Sequence, residues 1–321
     1  MTTSRKPIVI LGGTGFVGCH LVARLATDGH EVTVLSRNAA AHRDLLVLPG
    51  SAVHSYRPDD PEALATAFTG AGAVINLVGI LNERGFGGQG FYRAHVTLTE
   101  NVLAACRRAG VRRYLHMSAL NAGQGRSHYL ATRGLAEQRV RDAEASGGIE
   151  ATIFQPSVIF GDGDSFFKRF AGLLKWAPLA LPLAGATARF QPVWVGDVAA
   201  AFVRALAAPS TIGKTYPLVG PRVYTLRQLV VYTRDQLALK RWIFSLPDPL
   251  ARLQALVMDF VPGKPFSTDN YLSLKTDSVS ARDGLAELGI QARRVEAEVP
   301  LYLDTSAHQR RLDGFRRHAG R

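Results

Sequence analysis

A chain of 321 residues, 47% hydrophobic and 20% charged, has the length and balance of one large globular domain or of a domain carrying a smaller lobe. Its two cysteines, Cys19 and Cys106, lie in helix-like segments far apart, which argues against a disulfide framework or a metal site and reads as two reduced core thiols. The net charge of +12 suits a dinucleotide phosphate or an anionic membrane; no zinc-finger spacing, aromatic RNA-binding signature or basic helix–turn–helix pattern accompanies it, which argues against nucleic acid.

The opening "MTTSRKPIVILGG" runs from a short polar lead straight into an apolar strand with no signal-peptide core, and reads as non-secreted and cytoplasmic. Apolar, β-rich runs then alternate with amphipathic stretches: "PIVIL", "EVTVLS", "AVHSY", "GAVINLVG", "RRYLHMS" and "ATIFQPSVIFG". That rhythm predicts an α/β fold, a Rossmann-type doubly wound parallel sheet covered on both faces by helices.

After Gly161 the pattern loosens, returning to a strand and helix in "RFQPVWVGDVAAAFVRAL". The expected division is a dinucleotide-binding core over 1–160 and 190–235, with a smaller lobe for substrate or partner over 161–189 and 236–321. Pro178, Pro182, Asp197 and Arg204 interrupt the richest apolar runs before they reach the roughly 18 residues a membrane span needs. The last 14 residues, "HQRRLDGFRRHAGR", set five arginines against Asp313 and read as a frayed, solvated tail.

"VILGGTGFVG" places Gly12, Gly15 and Gly18 at three-residue spacing between the first strand and a helix. Gly12 permits the tight turn, Gly15 lets the backbone approach a pyrophosphate, and Gly18 lets the helix pack closely on the sheet, while the helix start offers unpaired amides. Gly12, Gly13, Thr14, Gly15, Phe16, Val17 and Gly18 are therefore expected along a dinucleotide. At the end of the second strand an NAD-preferring site would carry an acid for the ribose 2′-hydroxyl; here Ser36 and Arg37 stand there, which favours NADP(H) and leaves NAD(H) open. Leu77, Val78 and Gly79 are further candidates along the cofactor. Asp59 is a candidate near the adenine, or else a cap for the helix "PEALATAF".

Taken in order, "GGTGFVG", "NLVGIL", "HMSAL", Tyr129, "PSVIFGDGD" and "QPVWVGDVA" make the chain resemble the short-chain dehydrogenase/reductase superfamily. More narrowly it resembles the atypical branch that holds the NAD(P)H-binding accessory subunit of respiratory complex I and its bacterial relatives. The resemblance runs from about residue 7 to residue 235. It implies that Tyr129 is the proton-transferring tyrosine, that Arg133 holds the place of the lysine that binds the nicotinamide ribose, and that Ser118 is the nearest orienting hydroxyl. It also places Pro156, Ser157 and Val158 along the nicotinamide pocket, where a plain strand-end turn is the other reading.

Two departures from the active members stand out. Arginine keeps the cation four residues after the tyrosine but replaces a compact ammonium with a planar fork, and Ala119 occupies the place where many relatives carry the hydroxyl. Tyr129 is thus either catalytic or a helix tyrosine packed against the cofactor, and Ser118 either orients substrate or satisfies nearby backbone. His95 stands where relatives tie an asparagine to the sheet, and a structural bond is expected of it.

Two stripes at helical spacing remain. Phe166, Phe170, Leu173 and Leu174, interleaved with Lys168, Arg169 and Lys175, and then Leu250, Leu253, Val257 and Phe260, suit either ordinary packing or an anionic membrane. Two functions follow from all of this. One is an NAD(P)H-binding protein that holds its cofactor for structure or sensing in a complex I-like or other respiratory assembly at the inner face of the membrane. The other is an NADPH-dependent reductase or dehydrogenase of a small carbonyl or quinone-like substrate working through Tyr129.

Overall fold

The computed structural model describes residues 6–261 and 264–303; the arginine-rich tail lies outside the described residues. Six strands form at the six apolar runs: β1 (Ile8–Leu11), β2 (Val32–Ser36), β3 (Ser51–Ser55), β4 (Ala73–Asn76), β5 (Arg113–Met117) and β6 (Glu150–Pro156). Four short strands follow, β7 (Ile159–Phe160), β8 (Ala180–Leu183), β9 (Arg189–Phe190) and β10 (Val193–Trp194), and then β11 (Lys214–Leu218). The central sheet is parallel throughout, in the order β11-β6-β5-β4-β1-β2-β3. The order reverses between β1 and β4, which opens a crevice at the carboxyl ends of those two strands.

β11 escapes sequence reading because "KTYPL" carries a charged residue and a proline. As an edge strand it tolerates Pro217, whose missing N–H would break the ladder of a central strand. The short helix Gly284–Glu287 lies against it, and a side chain at Gly284 would bring a Cβ within 2.5 Å of the Pro217 carbonyl.

Both sheet faces are covered. On one, α1 (Phe16–Thr27) supplies Leu21, Val22 and Leu25, buried with residues near the chain's middle; on the other, α2 (Pro61–Phe68) supplies Leu64 and Phe68. A helix then runs as α3 (Gln89–Tyr92), a π turn over Arg93–Thr97 and α4 (Leu98–Ala109), and with α5 (His128–Ala145) it completes the second face. Cys106 is buried in α4, and Cys19 is partly buried in α1; both are free thiols.

The smaller lobe begins with α6 (Phe166–Trp176), while α7 (Val195–Ala207) returns to the first face of the sheet with Val198, Phe202 and Ala205. Leu174 of α6 joins Leu181, Leu226, Val230 and Ile243 in one cluster, with Phe166, Phe170 and Leu173 packed against it, so the α6 stripe is the interior of the lobe. Leu226 and Val230 belong to α8 (Leu226–Gln236), which follows the short strand β12 (Tyr224–Thr225), and α8 therefore packs with α6 in the lobe.

β13 (Trp242–Ser245) pairs with β8 and leads into α9 (Asp248–Met258) and α10 (Thr268–Ser273). α9 packs through Ala251 and Ala255 on Ala184 and Tyr271, and leaves Leu250, Leu253, Val257 and Phe260 exposed. Among the described residues no helix is long and apolar enough to cross a membrane.

Candidate active site

The glycine loop has the shape its spacing predicts. Gly12 takes φ +77°, and a Cβ there would meet the backbone of Leu77 and Val78 at 3.1 Å, so the loop presses against the end of β4 across the crevice. At Gly18 a Cβ would lie 2.3 Å from the Gly12 carbonyl, which leaves no room for any side chain between helix and loop. Gly15 starts α1 without a side-chain cap, and the first turn carries no acid. The amides of Phe16, Val17 and Gly18 thus form an anion-binding helix start, and Thr14 and Gly13 complete the turn. Gly13 also lies on the sheet, where a Cβ would strike Val34 at 2.8 Å. This cradle fits a dinucleotide pyrophosphate.

Phe16 carries a second contact. It lies against Gly161 and Gly163 and edge-on to His20, whose Nε2 bonds the Asp162 carbonyl at 2.8 Å. The segment "FGDGD" therefore closes over the start of α1, and Asp164 holds it by accepting from the Gly161 and Phe167 amides and from the Tyr302 hydroxyl. Nothing in the local pattern announces this role.

At the adenosine end Ser36 is buried, and its Oγ accepts from the Asn38 amide at 3.2 Å. Arg37 is exposed and forms no ion pair among the described residues; burial pushes the nearby Tyr56 phenol up, and the Arg37 charge acts against that. Asp60, not Asp59, caps α2, by accepting from the Glu62 and Ala63 amides. Asp59 is exposed in the loop before it.

The tyrosine helix is anchored from a distance. Ser127 caps α5 through the Leu130 amide, while the Asp269 carboxylate accepts from the amides of His128 at 2.6 Å and Tyr129 at 3.2 Å. Asp269 sits in α10, and sequence reasoning missed it because its partners lie 141 and 140 positions away. The half-buried Tyr129 ring stands edge-on to Phe91 and His95, at 6.2 and 5.6 Å.

Arg133 is only 4% exposed. Its Nη1 donates to the carbonyls of Val78 at 3.2 Å and Met117 at 2.9 Å, joining the ends of β4 and β5. The guanidinium carbon lies 5.5 Å from the Tyr129 ring centroid, and Nη2 lies where a Cβ on Gly79 would come within 1.7 Å. Gly79 is therefore glycine to admit the arginine. Leu77 is buried beneath, and the Val78 amide donates to Asn76 Oδ1. The cation at the lysine's place is thus bound to the sheet itself.

Ser118, at the end of β5, is buried, and its Oγ has no hydrogen-bond partner among the described residues, which fits a ligand hydroxyl or a substrate oxygen. Ala119 beside it is buried and offers nothing. Ser157 is differently employed: its Oγ bonds the Ser278 carbonyl at 2.8 Å and lies 2.9 Å from the Ser278 hydroxyl, tying the strand end to the C-terminal lobe. Pro156 is buried at the end of β6, and Val158 is partly exposed next to it.

His95 makes the structural bond expected of it. Nε2 accepts from the Ile80 amide at 3.2 Å, and Nδ1 lies 2.8 Å from Thr132 Oγ1. Burial, reinforced by the Arg133 charge, lowers its pKa to about 2, so the ring is neutral; His116, buried beneath in β5, is lowered to about 3 for the same two reasons.

Residues 8–219 match the NAD dependent epimerase/dehydratase family. The chain belongs to that family. The family is an NAD-binding one, and the seven-stranded doubly wound sheet described above is its fold. Among relatives in the family's reach, NADH dehydrogenase (ubiquinone) 1 alpha subcomplex subunit 9, mitochondrial, of Arabidopsis thaliana is 33% identical over 283 residues, which cover 85% of this chain and 68% of that one. Ceramide reductase of Caulobacter vibrioides is 31% identical over 251 residues, 77% of this chain and 76% of that one. The structure of dTDP-glucose 4,6-dehydratase from Streptomyces venezuelae with NAD and TYD bound superposes with a TM-score of 0.72 at 19% identity, covering 92% of this chain and 95% of that one, and so shares the family fold.

Proposed function

We propose that this family member holds NADP(H) as a structural or sensing ligand within a respiratory or quinone-linked assembly, on the cytoplasmic side and in peripheral contact with an anionic membrane. The observation that carries the reading is the state of Arg133. A cation that serves the nicotinamide ribose must reach it, whereas this guanidinium is buried and tied through Nη1 to two backbone carbonyls; Nε and Nη2 have no hydrogen-bond partner among the described residues, so what the two bonds fix is its position. Ala119 removes the usual hydroxyl as well. The likeness to a protein named as a subunit of NADH dehydrogenase supports the assembly. Arg37, exposed just after β2 and without an ion pair among the described residues, supports the 2′-phosphate.

The test is purification of the native protein with identification of the bound nucleotide and of co-purifying proteins, followed by assay of NADPH oxidation. Retained NADPH with respiratory partners and no turnover is the expected result.

A second reading is favoured by Ser118 Oγ, buried without a partner, and by the likeness to a protein named ceramide reductase. Here Tyr129 would give its phenolic proton to a carbonyl oxygen that Ser118 would hold, and NADPH, where bound, would supply the hydride chemistry at the carbonyl carbon. Tyr129-dependent turnover by the unaltered protein would establish this reading over the first.

A further inference from the structure

α9 is amphipathic with its faces reversed. The side it packs inward carries the small residues Ala251 and Ala255, while Leu250, Leu253, Leu256, Val257 and Phe260 are each more than half exposed, Phe260 at 74%. Spacings of three and four residues put Leu250, Leu253, Leu256 and Val257 on one broad stripe of α9, and Phe260, in the turn just past the helix end, continues it. Phe86, 63% exposed, extends the stripe from the loop after β4, with its ring 5.8 Å from that of Phe260. A contiguous apolar face of this kind calls for a partner.

The charges around it identify the partner's chemistry. Among the described residues Arg84 and Arg252 are exposed and form no ion pair, and Lys264 stands over the Phe86 ring at 4.3 Å with its Nζ donating to the Gly85 carbonyl. Of the neighbouring carboxylates, Asp248 is paired with Lys275, Asp259 is buried and accepts from Thr268, and Glu83 keeps its charge but is turned to the Gly88 and Gly90 amides, which leaves the three cations in excess. A second copy of a chain with net charge +12 would bring like charge against like charge. We infer that this face docks on an anionic lipid bilayer, with the apolar side chains in the acyl boundary and the cations at the headgroups.

The docked face adjoins the candidate site. Asn82, three residues beyond Gly79, donates to the Lys264 carbonyl and accepts from Ser267; Asn270 donates to the Leu81 carbonyl; Asp269 holds the Tyr129 amide. Docking through α9 therefore sets the mouth of the Tyr129 cleft at the bilayer surface. The inference rests on the membrane contact proposed above and is independent of what the bound nucleotide does.

The full-length protein is sedimented with vesicles of phosphatidylcholine alone and with vesicles containing phosphatidylglycerol. The unaltered protein is expected to bind only the anionic vesicles, and Leu253→Glu/Phe260→Glu to lose at least about tenfold in partitioning while keeping its NADPH affinity, which shows the cleft intact. Trp176→Glu/Trp242→Glu, at exposed tryptophans of α6 and β13 outside α9, should bind as the unaltered protein does. If the α9 variant binds undiminished, or if the loss follows the tryptophan pair instead, the surface is wrong and the membrane contact stands. If the unaltered protein ignores anionic vesicles, both fall.

Discussion

Replacing Arg133 with lysine separates the two functions. In the native protein Nη1 makes two hydrogen bonds, to Val78 and Met117, and bonds from a charged donor are worth about 1.5–3 kcal/mol each. Lysine carries its charge on a shorter stem and cannot hold both carbonyls while reaching toward the ribose. A loss of one bond, about 1.5–3 kcal/mol, is expected in urea unfolding.

The compensation is at the tyrosine. Arginine already sets a cation beside the tyrosine, its guanidinium carbon 5.5 Å from the ring centroid, so lysine changes geometry and not charge. An ammonium released from the carbonyls is free to bond the ribose and orient the tyrosine, and a well-placed general acid contributes about 10²–10⁴ in rate. NADPH oxidation with simple carbonyl or quinone acceptors should thus rise well above that of the unaltered protein in Arg133→Lys, and fall back in Tyr129→Phe/Arg133→Lys. Brisk turnover by the unaltered protein, lost in Tyr129→Phe alone, would refute the argument that the bonds to the carbonyls silence the site. No gain in Arg133→Lys with NADPH still bound would show that the arginine is not what limits turnover.

Arg37→Glu should reverse the preference for NADPH over NADH in equilibrium titrations, because it sets a carboxylate beside the 2′ position; equal affinities in the unaltered protein would refute the NADP(H) assignment. Gly79→Ala drives a Cβ into the Arg133 guanidinium and should cost about 1.5–3 kcal/mol in urea unfolding by displacing it from at least one carbonyl; a stability equal to that of the unaltered protein would show that the arginine is not fixed there. His95 and His116 have folded pKa values of about 2 and about 3, so the folded protein keeps both neutral while the unfolded chain binds protons below about 6.5. The stability they confer is full above that pH and falls as pH drops through the window, by up to about 1.4 kcal/mol per unit for each ring at the steepest, or about 3 kcal/mol for the pair between 6.5 and 5. Unfolding free energy measured across that range should show this slope, and His95→Asn should remove about half of it; a slope unchanged in the variant would exclude His95 as a source.

What the sequence determined by itself is local. Six of the seven sheet strands, the glycine turn and its helix, and the free cysteines follow from periods of 2 and 3.6 and from the φ freedom of Gly12, all properties of neighbouring residues. The edge strand β11 is illegible because Pro217 and Lys214 are tolerated only by its place in the sheet, and of two adjoining aspartates only geometry tells that Asp60, and not Asp59, caps α2. Only the tertiary structure decided what the residues meet. The stripes of α6 and α9 have the same helical spacing, yet the first faces Leu226 and Val230 across the lobe and the second is turned outward by the packing of Ala251 and Ala255. The Asp269 carboxylate reaches the tyrosine helix, Ser278 takes up the Ser157 hydroxyl, and Arg133 spends its charge on two strand ends. Periodicity states that a face is apolar or that a charge is present; the partner of that face or charge comes from a distant part of the chain, and its identity depends on how the whole chain closes.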